Sequence, residues 1–445
     1  MLSLSIRVTL SLTRSLVSNL LLHVRSRFAI ANYLAITAMA TPTQVFKCDP
    51  ESISFSGDEP IYSDTETENA IKSAVQHLTE RRVVAFPTET VYGLGALALD
   101  VSAASKIFST KGRPSDNPLI VHISSLSMLN SLLPPSYAPS PAYKTLMRAF
   151  WPGPLTLLFP ADPTRVPPIV TAGHPTVAVR MPAHPVARAL IAATGTPLAA
   201  PSANASGKPS PTRAAHVLRD LGATGRLPLL LDGGPCAVGL ESTVVDGLGE
   251  DGALRVLRPG GATVEALSAA LGDLDGKDGS LRPRVLVHRR DFVLDNHEVN
   301  APTTPGMKYR HYAPGVPVTL LYTSTTPTEI DGGGGGGLMQ HVGLDTFFGE
   351  VQRGTSGRLG LMAQDDSPLL ARARCDGSSR WITFSLGGSA EPARAAQRLF
   401  EGLLSLEEQG VERIFVQEVA EEREGLAFMN RIRKAAGTSL RIVDV

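Results

Sequence analysis

The sequence predicts two α/β domains, a larger one built around a single twisted sheet and a smaller Rossmann-like one. In both halves of the chain, short apolar runs typical of strands alternate with helical patterns of about ten residues or more. The length of 445 residues suits two domains, and 43% apolar with 19% charged residues is a globular composition. The net charge is zero, so no overall field attracts nucleic acid and any anion site must be local.

Residues 1–48 are predicted to be a transit peptide, because they contain no Asp or Glu and carry four arginines among serine, leucine and valine. A secretory signal is the alternative, since Ala29-Ile30-Ala31 resembles a cleavage site. The apolar run 16–24 is too short to span a bilayer, so no membrane anchor is expected. Met39 offers a second start. We therefore expect a cytoplasmic product, a mitochondrial product, or both.

The cysteines give information about the compartment. Cys48, Cys236 and Cys375 have no paired spacing. This argues against a disulfide scaffold or a zinc site and indicates a reducing environment.

The larger domain is predicted over residues 60–271. Its strands are expected at 83–87, 118–123, 155–159, 176–181, 198–200, 229–231, 243–245 and 254–257. Its helices are expected at 69–82, 99–110, 184–194, 212–221 and 263–271. Strand ends that converge on one side would gather the polar loops into one cleft.

Residues 272–315 are predicted to be a linker because they are polar and rich in turn formers. The smaller domain is predicted over 316–445, with strands at 316–322, 382–386 and 414–416 and helices at 391–409 and 426–436. Six consecutive glycines at 332–337 indicate a flexible surface insertion, since no helix start follows them.

Two cations occupy a stiff turn after the helix at 99–110. Lys111 and Arg113 precede Pro114 and Pro118. Each proline fixes its own φ and biases the residue before it away from the helical conformation. Cations on a rigid loop beside a strand suit an anionic ligand, because little ordering entropy is lost on binding. The alternative is a helix C-terminus that simply carries basic residues, as many do.

A second polar loop follows the strand at 198–200 and runs to residue 212, dense in hydroxyls, with one amide and one lysine. Such loops can bind phosphate oxygens, although an ordinary Ser/Pro turn has the same composition. Gly93, Gly95 and Ala98 formally fit a dinucleotide fingerprint, but they lie several residues after the strand and lack the required context. No P-loop motif occurs, so ATP would have to be held in another way.

These stretches together resemble the YrdC family of threonylcarbamoyl-adenylate synthases. The resemblance depends on a Lys-x-Arg pair at 111–113, followed far downstream by Ser-x-Asn at 202–204. It extends through Pro-Thr-Glu-Thr-Val-Tyr-Gly-Leu-Gly (87–95), Trp-Pro-Gly-Pro-Leu-Thr (151–156), Val-Ala-Val-Arg-Met-Pro (177–182), Glu-Ser-Thr-Val-Val (241–245) and Arg-Pro-Gly (258–260). The segment Pro-Gly-Met-Lys-Tyr-Arg-His-Tyr-Ala-Pro (305–314) is similar to the linker of the longer, two-domain members.

The resemblance implies a fold and a reaction. The fold is a YrdC-like twisted mixed sheet with helices, followed by a smaller Rossmann-like C-terminal domain. The reaction is nucleotidyl transfer, in which L-threonine, bicarbonate and ATP give threonylcarbamoyl-AMP and pyrophosphate. The product would pass to a tRNA threonylcarbamoyl transferase that modifies the adenosine beside the anticodon. Mg2+ would arrive with ATP, because the sequence shows no dense carboxylate cluster to hold it.

The resemblance also implies roles for individual residues. Catalytic roles fall to Lys111 and Asn204. Threonine would be held by Thr90, His122, Arg180, Ala200 and Ser242. ATP would be held by Arg113, Asn117, Thr176, Ser202, Ser210, Arg258 and Tyr309, the last closing over the nucleotide.

Several of these residues could instead have structural roles. His122 ends an apolar strand, where a histidine is commonly a core residue. Arg180 must either pair with a protein carboxylate or meet an anionic ligand, because burying it unpaired is costly. Tyr309 could only pack the domains together, and His184 and His311 are taken as structural.

Two other functions stay open at this point. One is an RNA-binding module, since isolated YrdC-like domains look able to bind RNA weakly through a basic concave face. The other is a carbamoyltransferase similar to the hydrogenase-maturation proteins, although this chain lacks their Cys-x-x-Cys motifs.

Overall fold

The computed structural model describes residues 42–274, 283–288, 291, 311–323 and 341–445. The larger domain is built on a mixed sheet that has eleven strands within these ranges, in the order β1-β10-β4-β5-β9-β6-β8-β7-β11-β12-β13. Its strands are β1 (Gln44–Lys47), β4 (Val84–Phe86), β5 (Gly93–Leu97), β6 (Ile120–His122), β7 (Leu155–Pro160), β8 (Thr176–Arg180), β9 (Leu198–Ala199), β10 (Leu229–Asp232), β11 (Thr243–Asp246), β12 (Leu254–Arg258) and β13 (Val285–Val287). A separate antiparallel hairpin joins β2 (Ile53–Ser56) to β3 (Glu59–Tyr62).

Helices cover both faces of this sheet. They are α1 (Thr65–Thr79), α2 (Val101–Lys111), α3 (Leu126–Leu132), α4 (Pro141–Phe150), α5 (Pro168–Thr171), α6 (Pro185–Thr194), α7 (Ala214–Leu221) and α8 (Val264–Ala270). Alternate residues of β4 enter opposite cores: Ala85 packs on one face, and Val84 and Phe86 pack on the other. This period of two buries the strand on both sides, as the apolar run in the sequence indicates.

Over its described residues, the smaller domain has a parallel sheet of six strands in the order β15-β19-β14-β18-β16-β17. Its strands are β14 (Val318–Tyr322), β15 (His341–Gly343), β16 (Leu359–Ala363), β17 (Trp381–Ser385), β18 (Arg413–Gln417) and β19 (Leu440–Asp444). Its helices are α9 (Leu344–Gly354), α10 (Pro368–Arg374), α11 (Pro392–Glu408) and α12 (Glu424–Ala436). The predicted Rossmann-like alternation is confirmed.

The two domains pack directly against each other. Gly239 has a φ of +75°, and a Cβ there would collide with the backbone of Gln397 in α11, so glycine permits this close approach. Around it, Arg213 pairs with Glu401 at 2.7 Å and Arg219 pairs with Glu408 at 3.2 Å. Basic side chains at and after the start of α7 therefore face acidic side chains of α11.

The structure corrects the predicted boundaries in two places. Residues 44–47, inside the predicted leader 1–48, form β1 and pair in parallel with β10, so the folded domain also begins before residue 60. Strand β13, inside the predicted linker 272–315, extends the sheet beside β12. Residues 1–41, including Met39, and the six glycines lie outside the described residues.

Several other strands and helices were not predicted from the sequence. Strand β5 pairs antiparallel with β4, so Gly93 and Gly95 lie in a strand rather than in a strand-to-helix turn. A Cβ on Gly95 would collide with the ring of Phe86, which explains the glycine by packing. The rejection of a dinucleotide fingerprint is thus confirmed. Helices α3, α4, α9 and α10 and strands β15, β16 and β19 were also not predicted.

Candidate active site

A cleft of about 740 Å³, part of it open to solvent, lies at the start of β5 and at the ends of β6, β8 and β9. Most of the predicted site residues line it: Thr90, Lys111, Arg113, His122, Arg180, Ala200, Ser202, Asn204, Ser210, Ser242 and Arg258. These residues come from strand ends, one helix end and loops spread over about 170 positions of the chain, and the sheet brings them together.

Lys111 lies at the C-terminal end of α2, which stops where Gly112 adopts the left-handed conformation with φ +62°. The side chain is buried, and its Nζ donates to Ser202 O, to Asn204 O at 2.5 Å and to Asn204 Oδ1 at 3.4 Å. Burial and the neighbouring Arg113 hold the pKa of Lys111 well below its ordinary value. The Lys-x-Arg turn and the Ser-x-Asn loop are therefore joined through one amine.

The Ser-x-Asn loop is held rigidly from several sides. Asn204 Nδ2 donates to Ala205 O at 2.8 Å and to Lys208 O at 2.9 Å. Ser206 N donates back to Lys111 O at 3.0 Å. Because these bonds fix the loop before any ligand arrives, its hydroxyls can act as preorganised contacts.

Two guanidinium groups line the cleft beyond this loop. Arg113 donates to the carbonyl oxygens of Asn117 and Pro118, at 3.2 and 2.8 Å. Burial, followed by the nearby Arg258, lowers the pKa of Arg113 to about 10. Arg258 is buried and donates through Nη2 to Ser242 O at 2.9 Å and to Ser242 Oγ at 3.3 Å. Two like charges this close in a buried wall favour a polyanionic ligand.

Arg180, at the end of β8, is tied to protein groups as well as facing the cleft. Its Nε donates to Gly153 O at 3.2 Å, Nη1 to Thr90 Oγ1 at 2.8 Å and Nη2 to Glu89 Oε1 at 2.5 Å. A guanidinium has five N–H groups, so within the described chain one remains on each terminal nitrogen. The first alternative is confirmed, since the carboxylate of Glu89 pairs with Arg180. An anionic ligand on the two remaining N–H groups stays a prediction.

His122 and Ser242 complete this side of the cleft. His122 lies in β6, beside Arg180 in β8, and its Nδ1 is 3.1 Å from Ile120 O. Burial, followed by Arg180, lowers the pKa of His122 to about 3, so the imidazole is neutral near pH 7. Ser242 Oγ is 2.8 Å from Thr156 Oγ1. Neutral donors and acceptors here suit an amino acid more than another charge.

Both domains of the chain are similar to known proteins. A family model for Sua5, YciO and YrdC proteins, described as "Telomere recombination", matches residues 76–260, and a model described as "Threonylcarbamoyl-AMP synthase, C-terminal domain" matches residues 262–437. The threonylcarbamoyl-AMP synthase of Bacillus subtilis is 43% identical over 367 residues, covering 82% of this chain and 93% of the relative. The chain belongs to the threonylcarbamoyl-AMP synthase family.

Two further family members agree with this. The threonylcarbamoyl-AMP synthase of Schizosaccharomyces pombe is 40% identical over 393 residues, which cover 84% of this chain and 89% of the relative. The crystal structure of Pyrococcus abyssi Sua5 complexed with L-threonine is 34% identical, covers 90% of this chain and all of that one, and has a TM-score of 0.67. Family membership makes the protein an enzyme of the nucleotidyl-transfer type, and the predicted mixed-sheet fold is confirmed.

Three residues assigned by the family resemblance are not seen at the cleft. Asn117 is buried behind Arg113, with no hydrogen-bond partner for its Oδ1 within the described ranges. Thr176 begins β8 at the end opposite Arg180, and its Oγ1 is likewise unpartnered there. Tyr309 lies outside the described residues. Their assignment to ATP stays a prediction.

Sequence reasoning missed other residues that line the cleft. Glu241, Lys208, His311 and Tyr312 are among them, although His311 was taken as structural. The signal for His311 and Tyr312 was present, because both lie in the 305–314 segment that resembles the family linker. His184 is structural as predicted, since its Nδ1 accepts from Val186 N at 3.3 Å and caps α6.

The part of the chain that the structure describes shows no group of three or more His, Cys, Asp or Glu side chains suited to a metal ion. Among the same residues, no helix is both long and apolar enough to cross a bilayer.

Proposed function

We propose that the protein is an L-threonylcarbamoyladenylate synthase, which converts L-threonine, bicarbonate and ATP into threonylcarbamoyl-AMP, pyrophosphate and water. The observation that carries this proposal is that one cleft gathers two chemically different sets of side chains, which we call its phosphate half and its amino-acid half. One half presents Lys111, Arg113 and Arg258, and the other presents neutral hydroxyls and an imidazole around Arg180. A triphosphate suits the first half and an amino acid suits the second.

In the amino-acid half, the substrate carboxylate would take the two remaining N–H groups of Arg180, since a planar guanidinium matches a carboxylate bidentately. Thr90, Ser242 and neutral His122 would then surround the threonine amine and hydroxyl. This arrangement supports binding of the free amino acid, and the Pyrococcus abyssi relative has been crystallised with L-threonine.

In the phosphate half, Arg113, Ser202, Ser210 and Arg258 would hold ATP, and the threonine carbamate would attack the α-phosphorus. Phosphoryl and nucleotidyl transfer depend mainly on positioning and charge stabilisation. Lys111 would leave its carbonyl partners to meet the charge that develops between carbamate and phosphate, while Asn204 keeps the loop in shape. Holding the reactants together can supply about 7–11 kcal/mol of the barrier.

Mg2+ would enter with ATP. Among the described residues that line the cleft, the one carboxylate is Glu241, which already accepts from Ser210 and Arg431, so these residues do not form a protein-held metal site. The ion would neutralise phosphate charge, while the protein residues bind and orient the nucleotide.

The experiment that tests this function combines purified protein with ATP, Mg2+, bicarbonate and labelled threonine. The expected result is a labelled mixed anhydride, with pyrophosphate released only when threonine is present. Pyrophosphate release at the same rate with and without threonine would contradict the proposal. An affinity for RNA that falls steeply as the salt concentration rises would favour the RNA-binding alternative.

The product would serve threonylcarbamoyladenosine modification of tRNA beside the anticodon, by hand-over to a transferase. We also propose mitochondrial import, alone or beside a cytosolic form started at Met39. Since β1 begins at Gln44, a reporter fused to residues 1–43 tests import without dividing the sheet. A purely diffuse signal would exclude import.

A further inference from the structure

The smaller domain inserts one charged side chain into the wall of the cleft. Arg431, in α12, has no solvent-exposed surface. Its Nε donates to Glu241 Oε2 at 3.1 Å, and its Nη1 donates to Pro259 O and to Asn430 Oδ1. Glu241 and Pro259 belong to the larger domain, so the guanidinium bridges the domains.

The partner carboxylate faces the phosphate half of the cleft. Glu241 lines the cleft, and its Oε1 accepts from Ser210 Oγ at 2.5 Å. Burial alone would raise the pKa of Glu241, but Arg431 and Arg258 outweigh burial and lower it. A negative charge therefore lies beside the residues proposed to hold a polyanion.

An unpaired carboxylate at this position would oppose ATP binding. It would repel the phosphates, and it would attract Arg258 away from them, because opposite charges interact strongly in a desolvated wall. Arg431 compensates the charge and leaves Glu241 free to orient the Ser210 hydroxyl. The same guanidinium also lies over the Tyr312 ring, 5.7 Å from its centroid, and Tyr312 packs on Phe400 of α11.

We propose that Arg431 is a positioning residue through which the smaller domain completes the ATP half of the cleft, by neutralising and orienting Glu241. This proposal rests on the proposed function in that ATP is the nucleotide concerned. It assigns a task to the smaller domain: without its docking, the cleft of the larger domain would hold a carboxylate that Arg431 no longer compensates, beside the residues proposed to bind phosphate.

The test measures ATP binding by calorimetry in the absence of threonine, and the KM of each substrate in the pyrophosphate assay. Arg431→Met should weaken ATP binding roughly 30-fold or more, as expected when one partner of a buried pair is removed. The KM for threonine should change less than about threefold, since the charge opposes the phosphates. Arg433→Met, on the same helix, is the matched control, because Arg433 pairs with Glu421 inside the smaller domain.

The decisive variant is Arg431→Met combined with Glu241→Gln. The amide oxygen can still accept from Ser210, and neither charge of the Arg431–Glu241 pair is left without its partner, so ATP binding should recover to within about fivefold of wild type. A folded double variant that binds ATP no better than the single variant would overturn the proposal, as would unchanged ATP affinity in Arg431→Met.

Two outcomes separate this proposal from the proposed function. If wild-type protein binds ATP but releases no pyrophosphate with threonine, the proposed reaction fails while the calorimetric test of Arg431 still stands. If Arg431→Met does not fold, the double variant decides alone: near wild-type ATP affinity supports positioning through Glu241, and more than a tenfold loss overturns it.

Discussion

Replacing Arg180 by lysine tests the most specific feature of the amino-acid half. Arg180 makes three hydrogen bonds to Gly153 O, Thr90 Oγ1 and Glu89 Oε1 and keeps one N–H on each terminal nitrogen. A lysine keeps the positive charge beside Glu89. It has only three donors on a single atom, so it cannot serve the three protein acceptors and a carboxylate fork together.

The magnitude follows from the bonds that are lost. Losing one charge-assisted hydrogen bond to the substrate carboxylate costs about 1.5–3 kcal/mol, which predicts a rise of about 10- to 100-fold in the KM for threonine. The KM for ATP should change less than about threefold, because Arg180 lies in the other half of the cleft. Stability should fall by roughly 1–3 kcal/mol, since the acceptors of Gly153 and Thr90 lose a partner.

Steady-state pyrophosphate release at varied threonine, with ATP saturating, measures this effect. Arg255→Lys is the matched control, because Arg255 forms an i,i+4 pair with Asp251 at the edge of the domain. An unchanged KM for threonine, or an equal rise for both substrates, would refute the role given to the Arg180 fork.

Other perturbations address the rest of the cleft. Lys111→Ala and Arg113→Ala should each lower threonine-dependent pyrophosphate formation by at least about a hundredfold while the protein stays folded. Lys144→Ala, at an exposed position, is the control and should not lower it. Wild-type activity in either of the first two variants would show that the replaced residue is not part of the site. His122 has a pKa of about 3 in the folded protein and an ordinary pKa near 6.5 in the unfolded chain. The stability that depends on its neutral form should therefore be fully present above pH 6.5, and the free energy of unfolding should fall by about 2 kcal/mol by pH 5. Thermal unfolding at both pH values should therefore show a smaller acid loss in His122→Asn, and an equal loss would count against a buried neutral imidazole. Chelating Mg2+ should abolish turnover but leave the melting temperature of the nucleotide-free protein unchanged, because the described residues form no metal cluster; a lowered melting temperature would reveal a resident ion.

The sequence predicted those parts of the fold that depend on local pattern. Apolar runs located strands such as β7 and β8, because burial on both faces produces an unbroken apolar segment. It did not locate β1, whose pattern is mixed because it forms the exposed edge beside β10. It also did not locate β13, which lies in a polar segment and is held by pairing with β12.

The same contrast applies to the cleft. Lys111 and Asn204 were predicted from motifs, yet their direct hydrogen bond joins residues 93 positions apart and required the structure. The pairing of Arg180 with Glu89 was left open, because no local signal says which carboxylate will reach a buried guanidinium. No sequence pattern indicated the pairing of Arg431. It lies in an ordinary amphipathic helix, and its carboxylate partner comes from the other domain when the two domains dock.

The ion pair between Arg431 and Glu241 has a consequence for synthesis on the ribosome. The two residues are 190 positions apart in the chain. At about 5–20 residues per second, the arginine is added roughly 10–40 s after the glutamate, when most of the smaller domain has been made. A nascent chain that has reached only the larger domain therefore lacks the guanidinium that compensates Glu241, and the nucleotide pocket is completed only when α12 has docked.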